Sequence, residues 1–327
     1  MRIAIIGSGL AGATAASILS PHHDVTVFEK SRASAGRMCT RRRSDASGIE
    51  YAFDHGAQYF TIKGDDFANA LAPMLADGTV MPWDVPMVKI TADGNSQPRP
   101  TDAYVACPGM TALAKTFLNG ITLHHETEIN AINPHEAKWQ LADKNGNIYD
   151  GFDRVITAIP AAQTAALMPA EFPHHQALMA TKMMACFTVM LGFAEEISLP
   201  FGGAFVDDSP IGFISVNSSK PSRQGGFSLV VQANNNWAEP RVDDDPSHAE
   251  IALKKELMRL TGIDASAAAV ASFHRWRYAA TATPSANDKL YDDGLGLYAI
   301  GDWCLAGRVE AAFDSGLAIG RHLNQQS

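Results

Sequence analysis

Residues 1 to 30 constrain this chain more than any other stretch. Arg2-Ile3-Ala4-Ile5-Ile6 is a short apolar run of the kind found in a strand buried on both faces. Gly7-Ser8-Gly9-Leu10-Ala11-Gly12 follows at once, and Ala13 to Leu19 reads as a helix rich in small residues. A second apolar run, Asp24-Val25-Thr26-Val27-Phe28, ends in Glu29, 22 residues beyond Gly7. The whole is a strand–turn–helix–strand unit with G-x-G-x-x-G at its turn and an acid at its far end. Gly7 permits the tight turn, Gly9 lets a pyrophosphate approach the backbone, and Gly12 lets the helix sit close to the sheet. The N–H groups and dipole of the helix start, at Leu10 and Ala11, then meet the phosphate charge. Glu29 can accept both hydroxyl hydrogens of an adenosine ribose, and its charge would repel a 2′-phosphate. The unit predicts a bound dinucleotide.

A chain of 327 residues can bury a large core and predicts two domains or two interleaved lobes. With 46% hydrophobic and 19% charged residues it is an ordinary globular composition, which excludes wholesale disorder. A net charge of −9 argues against nucleic acid or an anionic membrane as partner. No apolar stretch approaches the roughly twenty residues of a membrane span. The N-terminal apolar run is broken by glycine after five residues, so it reads as a strand and not as an export signal. Cys39, Cys107, Cys186 and Cys304 are widely spaced, which suits free thiols in a reducing cytoplasm.

Ser31 to Ser44 carries Arg32, Arg37, Arg41, Arg42 and Arg43, and reads as a basic loop beside the dinucleotide phosphates. Gly36-Arg37-Met38 lets backbone and guanidinium reach those phosphates together. Asp54-His55-Gly56-Ala57-Gln58-Tyr59-Phe60 has neither helical nor strand periodicity; its mixture of small, amide and aromatic residues suits a planar ligand or an ordinary turn. Helices are predicted over 67–74 and from Met110 to Leu118, strands over 128–132 and 155–159, and a hairpin around Asn145-Gly146.

Between Ala161 and Tyr278 strand-like runs dominate, at 187–193, 204–206, 213–216, 227–233 and 270–276. One helix interrupts them, with Asp245 as cap, Pro246 at its first position and Gly262 as stop. The chain then returns to its first texture: the strand 296–300, then Gly301-Asp302-Trp303, then a helix opening at Gly307-Arg308-Val309-Glu310. The predicted fold class is therefore α/β. A Rossmann-type dinucleotide-binding lobe (1–65, 106–160 and 285–327) interleaves with an antiparallel-sheet α+β substrate lobe (66–105 and 161–284).

These segments resemble the flavin-containing amine oxidase superfamily, and most closely the renalases, including bacterial ones. The matching stretches are Ile5 to Gly12, Phe28-Glu29-Lys30-Ser31-Arg32, Gly36-Arg37-Met38, Gly56 to Phe60, Pro108-Gly109-Met110, His274-Arg275-Trp276 and Gly301 to Gly316. The resemblance implies non-covalent FAD, with Glu29 at the adenosine ribose, Arg37 near the pyrophosphate and the backbone of Ile129 at the adenine; Lys30 and Met38 are expected to bind the cofactor beside them. It further implies Asp302 at the pyrophosphate–ribityl region and Val309 under the pyrimidine ring of the flavin, with Gly56, Ala57, Gln58, Gly301 and Arg308 as further cofactor-binding residues. Two departures stand out. Ala35-Gly36 replaces the usual Gly-Gly, and Phe187 registers where amine oxidases carry a lysine.

No metal site is expected, since the pairs His22-His23, His124-His125 and His174-His175 lack a third ligand at metal spacing. No G-x-S-x-G occurs. Gln58, Tyr59, Asn217 and Trp276 are the candidate catalytic residues, and none is an evident acid or base. That suits a donor already activated for hydride loss. The resemblance points the same way: oxidation of 2- and 6-dihydro isomers of NAD(P), with O2 as acceptor and hydrogen peroxide as product. The alternatives are a flavin amine oxidase, a desaturase-type oxidoreductase, or a non-catalytic nucleotide-binding protein on the scaffold that GDP-dissociation inhibitors share.

Overall fold

The computed structural model describes residues 1–326. Its first sheet grows from the opening unit: β1 (Arg2–Ile6) and β2 (Asp24–Phe28) pair in parallel, with α1 (Leu10–Leu19) crossing between them. Apart from their first residues, both strands are buried, as parallel strands covered by helices must be. The strand Arg154–Thr157 joins the other edge of β1, and Leu297–Ala299 lies beyond it, also parallel. Six strands result, with Leu290–Asp292 as an antiparallel edge and Thr122–His124 at the opposite edge. Gly12 is what allows α1 to lie so close: a Cβ there would stand 2.1 Å from the Gly7 carbonyl oxygen. The C-terminal helix Val309–Asn324 packs on α1 through Gly316, where a Cβ would stand 2.4 Å from the Ala11 carbonyl oxygen.

The second sheet has seven strands. Its order is Val270–Thr283, Lys182–Phe193, Phe227–Ala233, Ile211–Val216, Gly203–Val206, Met87–Ile90, Ser96–Pro98. All neighbours are antiparallel except Gly203–Val206 on Met87–Ile90. One face is covered by the helix Pro246–Thr261, which Asp245 caps through the Ser247 N–H and Gly262 ends in a left-handed conformation.

Four expectations change. The basic segment 31–44 is not all loop: Thr40–Ser44 forms β3, paired antiparallel with β4 (Glu50–Asp54). The strand predicted over 270–276 runs on to Thr283, because the start of its neighbour continues to pair with it, Met184 with Ala280, Met183 with Thr281 and Lys182 with Thr283. More than one helix interrupts the second half: Ala161–Leu167, His175–Ala180 and Asn235–Ala238 are also helical. Ala161, Met168, Phe172 and Leu178 share a core with Ala4, Ile6 and Phe28, so the chain leaves the first sheet only near Lys182. Among the described residues, no helix is long and apolar enough to cross a membrane.

Candidate active site

A cavity of about 2110 Å3 runs between the two sheets. Sites for single drug-sized ligands measure ~300–1,000 Å3, so there is room for a dinucleotide and a second molecule. At one end lie the glycine turn and Glu29. No side chain caps α1 at Gly9, so its first N–H groups open onto the cavity. Glu29 is buried and accepts hydrogen bonds from Ser8 N (3.0 Å), Ser8 Oγ (2.7 Å) and Ser31 N (2.8 Å). A carboxylate has about four acceptor positions, which leaves capacity on Oε1, where only the Ser31 N–H is bound.

In the middle, Arg37 donates to both oxygens of Asp302, at 2.9 and 2.5 Å, and to the Ala279 carbonyl oxygen at 3.2 Å. This forked pair joins the loop after β2 to the turn before the C-terminal helix. The N-terminus of that helix is likewise free of a side-chain cap and opens beside Arg308, Val309 and Glu310. All the residues expected to hold a dinucleotide line this cavity except Gly12, which packs α1 onto its turn. Two uncapped helix starts, a half-open arginine and a buried carboxylate with spare acceptor capacity form a donor and acceptor set that fits a dinucleotide flavin.

The far end is walled by residues 55–60 on one side and the strand Val270–Thr283 on the other. The Trp276 indole N–H donates to the His55 carbonyl oxygen at 2.8 Å, and its ring stacks on His55 with centroids 5.4 Å apart. His274 meets the same indole edge-on at 4.3 Å. Arg41 donates from Nη2 to His274 Nδ1 at 3.3 Å, and Cys39 Sγ lies 3.3 Å from His55 Nε2. Burial, then the charge of Arg41 and the neighbouring His274, push His55 down to about 3. Burial and Arg41 push His274 down to about 4. Burial raises the Cys39 thiol to about 12 and pushes the Tyr59 phenol up. At neutral pH this end therefore presents neutral rings, a thiol and a phenol, with the Arg41 guanidinium as the charge beside them.

Gln58 stands on the cavity wall with its amide locked. Nε2 donates to the Asp54 and Gly56 carbonyl oxygens (2.5 and 3.2 Å), and Oε1 accepts from Lys220 Nζ at 3.2 Å. Behind it lies a sealed charge cluster. Asp54 Oδ2 accepts from Lys220 Nζ at 3.1 Å and from Arg223 Nη2 at 2.7 Å, and Oδ1 accepts from Thr40 Oγ1 at 2.6 Å. Burial would raise the Asp54 carboxyl, but Lys220 and Arg223 outweigh it and hold the group below its ordinary value. Burial lowers Lys220 to about 8 against the pull of Asp54.

Two sequence expectations are corrected here. Asn217 does not reach the cavity. It is fully buried, donates to the Ala52 carbonyl oxygen at 2.9 Å, and accepts from Lys220 Nζ at 2.9 Å and Asp54 N at 3.2 Å. It positions β4 and Lys220 rather than touching a reactant. Phe187 is also off the wall: Met184 and Cys186 of its strand face the cavity, and alternation turns Phe187 the other way, onto Phe273 and Trp237. Sequence reasoning missed the Asp54–Lys220–Arg223 cluster and the Cys39–His55–His274 wall, since their members stand far apart in the chain.

Residues 5–76 match the sequence model of an NAD(P)-binding Rossmann-like domain, and residues 88–321 match that of flavin-containing amine oxidoreductases. Among solved structures, the fold is similar to cyclohexylamine oxidase from Brevibacterium oxydans IH-35A, at 13% identity, 99% coverage of both chains and a TM-score of 0.73. It is similar to putrescine oxidase bound to putrescine, at 12% identity, 99% coverage of both chains and a TM-score of 0.70. A protein from Exiguobacterium sp. 255-15, described as a protoporphyrinogen oxidase, aligns over 100% of this chain and 99% of its own, at 12% identity and a TM-score of 0.77. Identities this low show a shared architecture only. The second sequence match spans most of the chain and carries the conclusion: this protein belongs to the flavin-containing amine oxidoreductase family, and is a flavin-dependent oxidoreductase.

Proposed function

We propose that the chain holds FAD non-covalently and oxidises 2- and 6-dihydro isomers of NAD(P). Each donor gives up a hydride and leaves as NAD(P)+; with one proton from water, the two electrons pass to O2 as hydrogen peroxide. The flavin supplies the two-electron acceptor. In this reading the six-stranded sheet and the helices packed on it, Ala161–Leu167 and His175–Ala180 included, hold the cofactor, and the seven-stranded sheet faces the donor.

One observation carries the reading: no group at the reactive end is a base of useful strength near neutral pH. His55 and His274 stay unprotonated down to about 3 and about 4, so they are weak bases, and Gln58 is a locked amide. A donor that must lose a proton before its hydride finds no help here. A dihydropyridine needs none, because its ring nitrogen already pushes the hydride out. Trp276, Tyr59 and the Gln58 face instead offer flat surfaces that orient a ring and exclude water.

An amine donor is the competing reading, since the family is named for it. A protonated amine suits this cavity poorly. Glu29, Glu128, Asp302 and Glu310 are its carboxylates among the described residues, and Lys30 with a larger set of arginines outweighs them. The test is anaerobic mixing of the oxidised protein with each donor class while the flavin absorbance is followed. Rapid bleaching by a dihydronicotinamide isomer is expected; bleaching by amines alone would overturn the proposal.

A further inference from the structure

The basic run 32–43 is split by the fold, and its two halves face different ends of the cavity. Ala35 N donates to the Ser8 carbonyl oxygen at 3.0 Å, and Arg37 is held by Asp302, so the first half stays with the glycine turn. The chain then enters β3, whose register sets Arg41 opposite Phe53 and Arg43 opposite Tyr51. Arg41 and Arg43 thus share one face, ~7 Å apart along the strand, and Arg41 meets His274 beside Trp276.

We propose that Arg41 and Arg43 form an anion subsite for the pyrophosphate of the hydride donor, distinct from the place of the cofactor's own phosphates. This rests on the reading that the donor is a dinucleotide. Among the described residues, Arg42 on the opposite face pairs with Glu50, Arg37 with Asp302 and Arg277 with Asp243. No carboxylate lies within 4.0 Å of the Arg41 or Arg43 guanidinium among those residues. His274 orients Arg41 by accepting from it, but a neutral imidazole cannot balance its charge. A half-buried guanidinium without a counter-charge is costly in an empty cavity and favours an anion there. The chain as a whole carries −9, so these arginines are not part of a generally basic surface.

ADP-ribose is the probe, because it carries the pyrophosphate and no reducible ring. Its affinity for the flavin-loaded protein is measured by titration calorimetry, with adenosine and inorganic pyrophosphate as controls. Arg41→Ala and Arg43→Ala should each weaken ADP-ribose about tenfold, leave adenosine unchanged, and leave flavin retention unchanged. Steady-state kinetics should show KM for the donor rising with kcat held. Undiminished ADP-ribose affinity in both variants would overturn the subsite. So would flavin loss, which would give the arginines to the cofactor, or inorganic pyrophosphate binding as tightly as ADP-ribose. Arg43 is exposed, so its variant should fold even where the Arg41 variant does not. If ADP-ribose binding depends on the arginines but no dihydronicotinamide bleaches the flavin, the subsite stands and the proposed reaction falls.

Discussion

The two ends of the cavity use the same ion-pair chemistry under different access to water. At the nucleotide end, Arg37 and Asp302 form a forked pair with side-chain exposures of 30% and 8%. Behind the reactive end, Asp54, Lys220 and Arg223 are 0%, 0% and 1% exposed. The open pair can trade part of its bonding for a ligand's phosphate at little cost, because water and ligand reach it. The sealed cluster has nothing to trade with. Each of its charges depends on the others, and its function is geometric: it holds β4, Asn217 and the Gln58 amide in one arrangement.

The strongest way to break that contrast is to remove the shared carboxylate. Asp54→Ala leaves two buried cations facing each other, which should cost ~3–5 kcal/mol of unfolding free energy. Denaturant titration measures it. A loss below 1 kcal/mol would mean that water enters the cluster and that it is not sealed.

Acid should act next most strongly, and at the reactive end. In the unfolded chain His55 and His274 take up protons near 6.5, but in the folded protein only near 3 and 4. Over that window the unfolded state binds more protons, so stability rises with pH and falls on acidification. Allowing for the solvent that reaches His274, the loss from pH 7 to pH 4 is on the order of 3 kcal/mol. Urea unfolding at the two pH values should show it, and His55→Phe should flatten the dependence. An unchanged slope in that variant would assign the acid sensitivity to other groups.

The smallest effect on folding, and the one that sharpens the contrast, is expected at the open end. Glu29→Ala should weaken FAD retention about tenfold or more, ~1.4 kcal/mol, by removing the ribose acceptor. Equilibrium dialysis of the refilled apoprotein reads this directly. Retention equal to that of the unsubstituted protein would remove Glu29 from the ribose site.

The two ends also differ in how far they could be read beforehand. Strand, turn, helix and acid of the opening unit lie within 30 residues, and each role follows from local backbone chemistry. The cap and stop of the helix Pro246–Thr261, at Asp245 and Gly262, were legible for the same reason. Asn217 was placed among the catalytic candidates although its sequence neighbourhood, Ser218-Ser219-Lys220-Pro221, shows nothing of what it packs against. What makes Asn217 and Lys220 matter is Asp54, 166 residues before Lys220. Arg41 was grouped with Arg37 by proximity in the chain, and only the β3–β4 pairing carries it to the other wall.

The chain alone therefore determined what short-range chemistry encodes: the dinucleotide turn, the order of elements, and the switch from parallel to antiparallel texture. The tertiary structure decided which charges lose their water. Burial is a property of the packed sheets; together with the charge of Arg41 it keeps His55 and His274 neutral, and it turns Asp54, Lys220 and Arg223 into one sealed unit. No spacing of residues along a chain carries that information, because desolvation depends on everything that packs around a group.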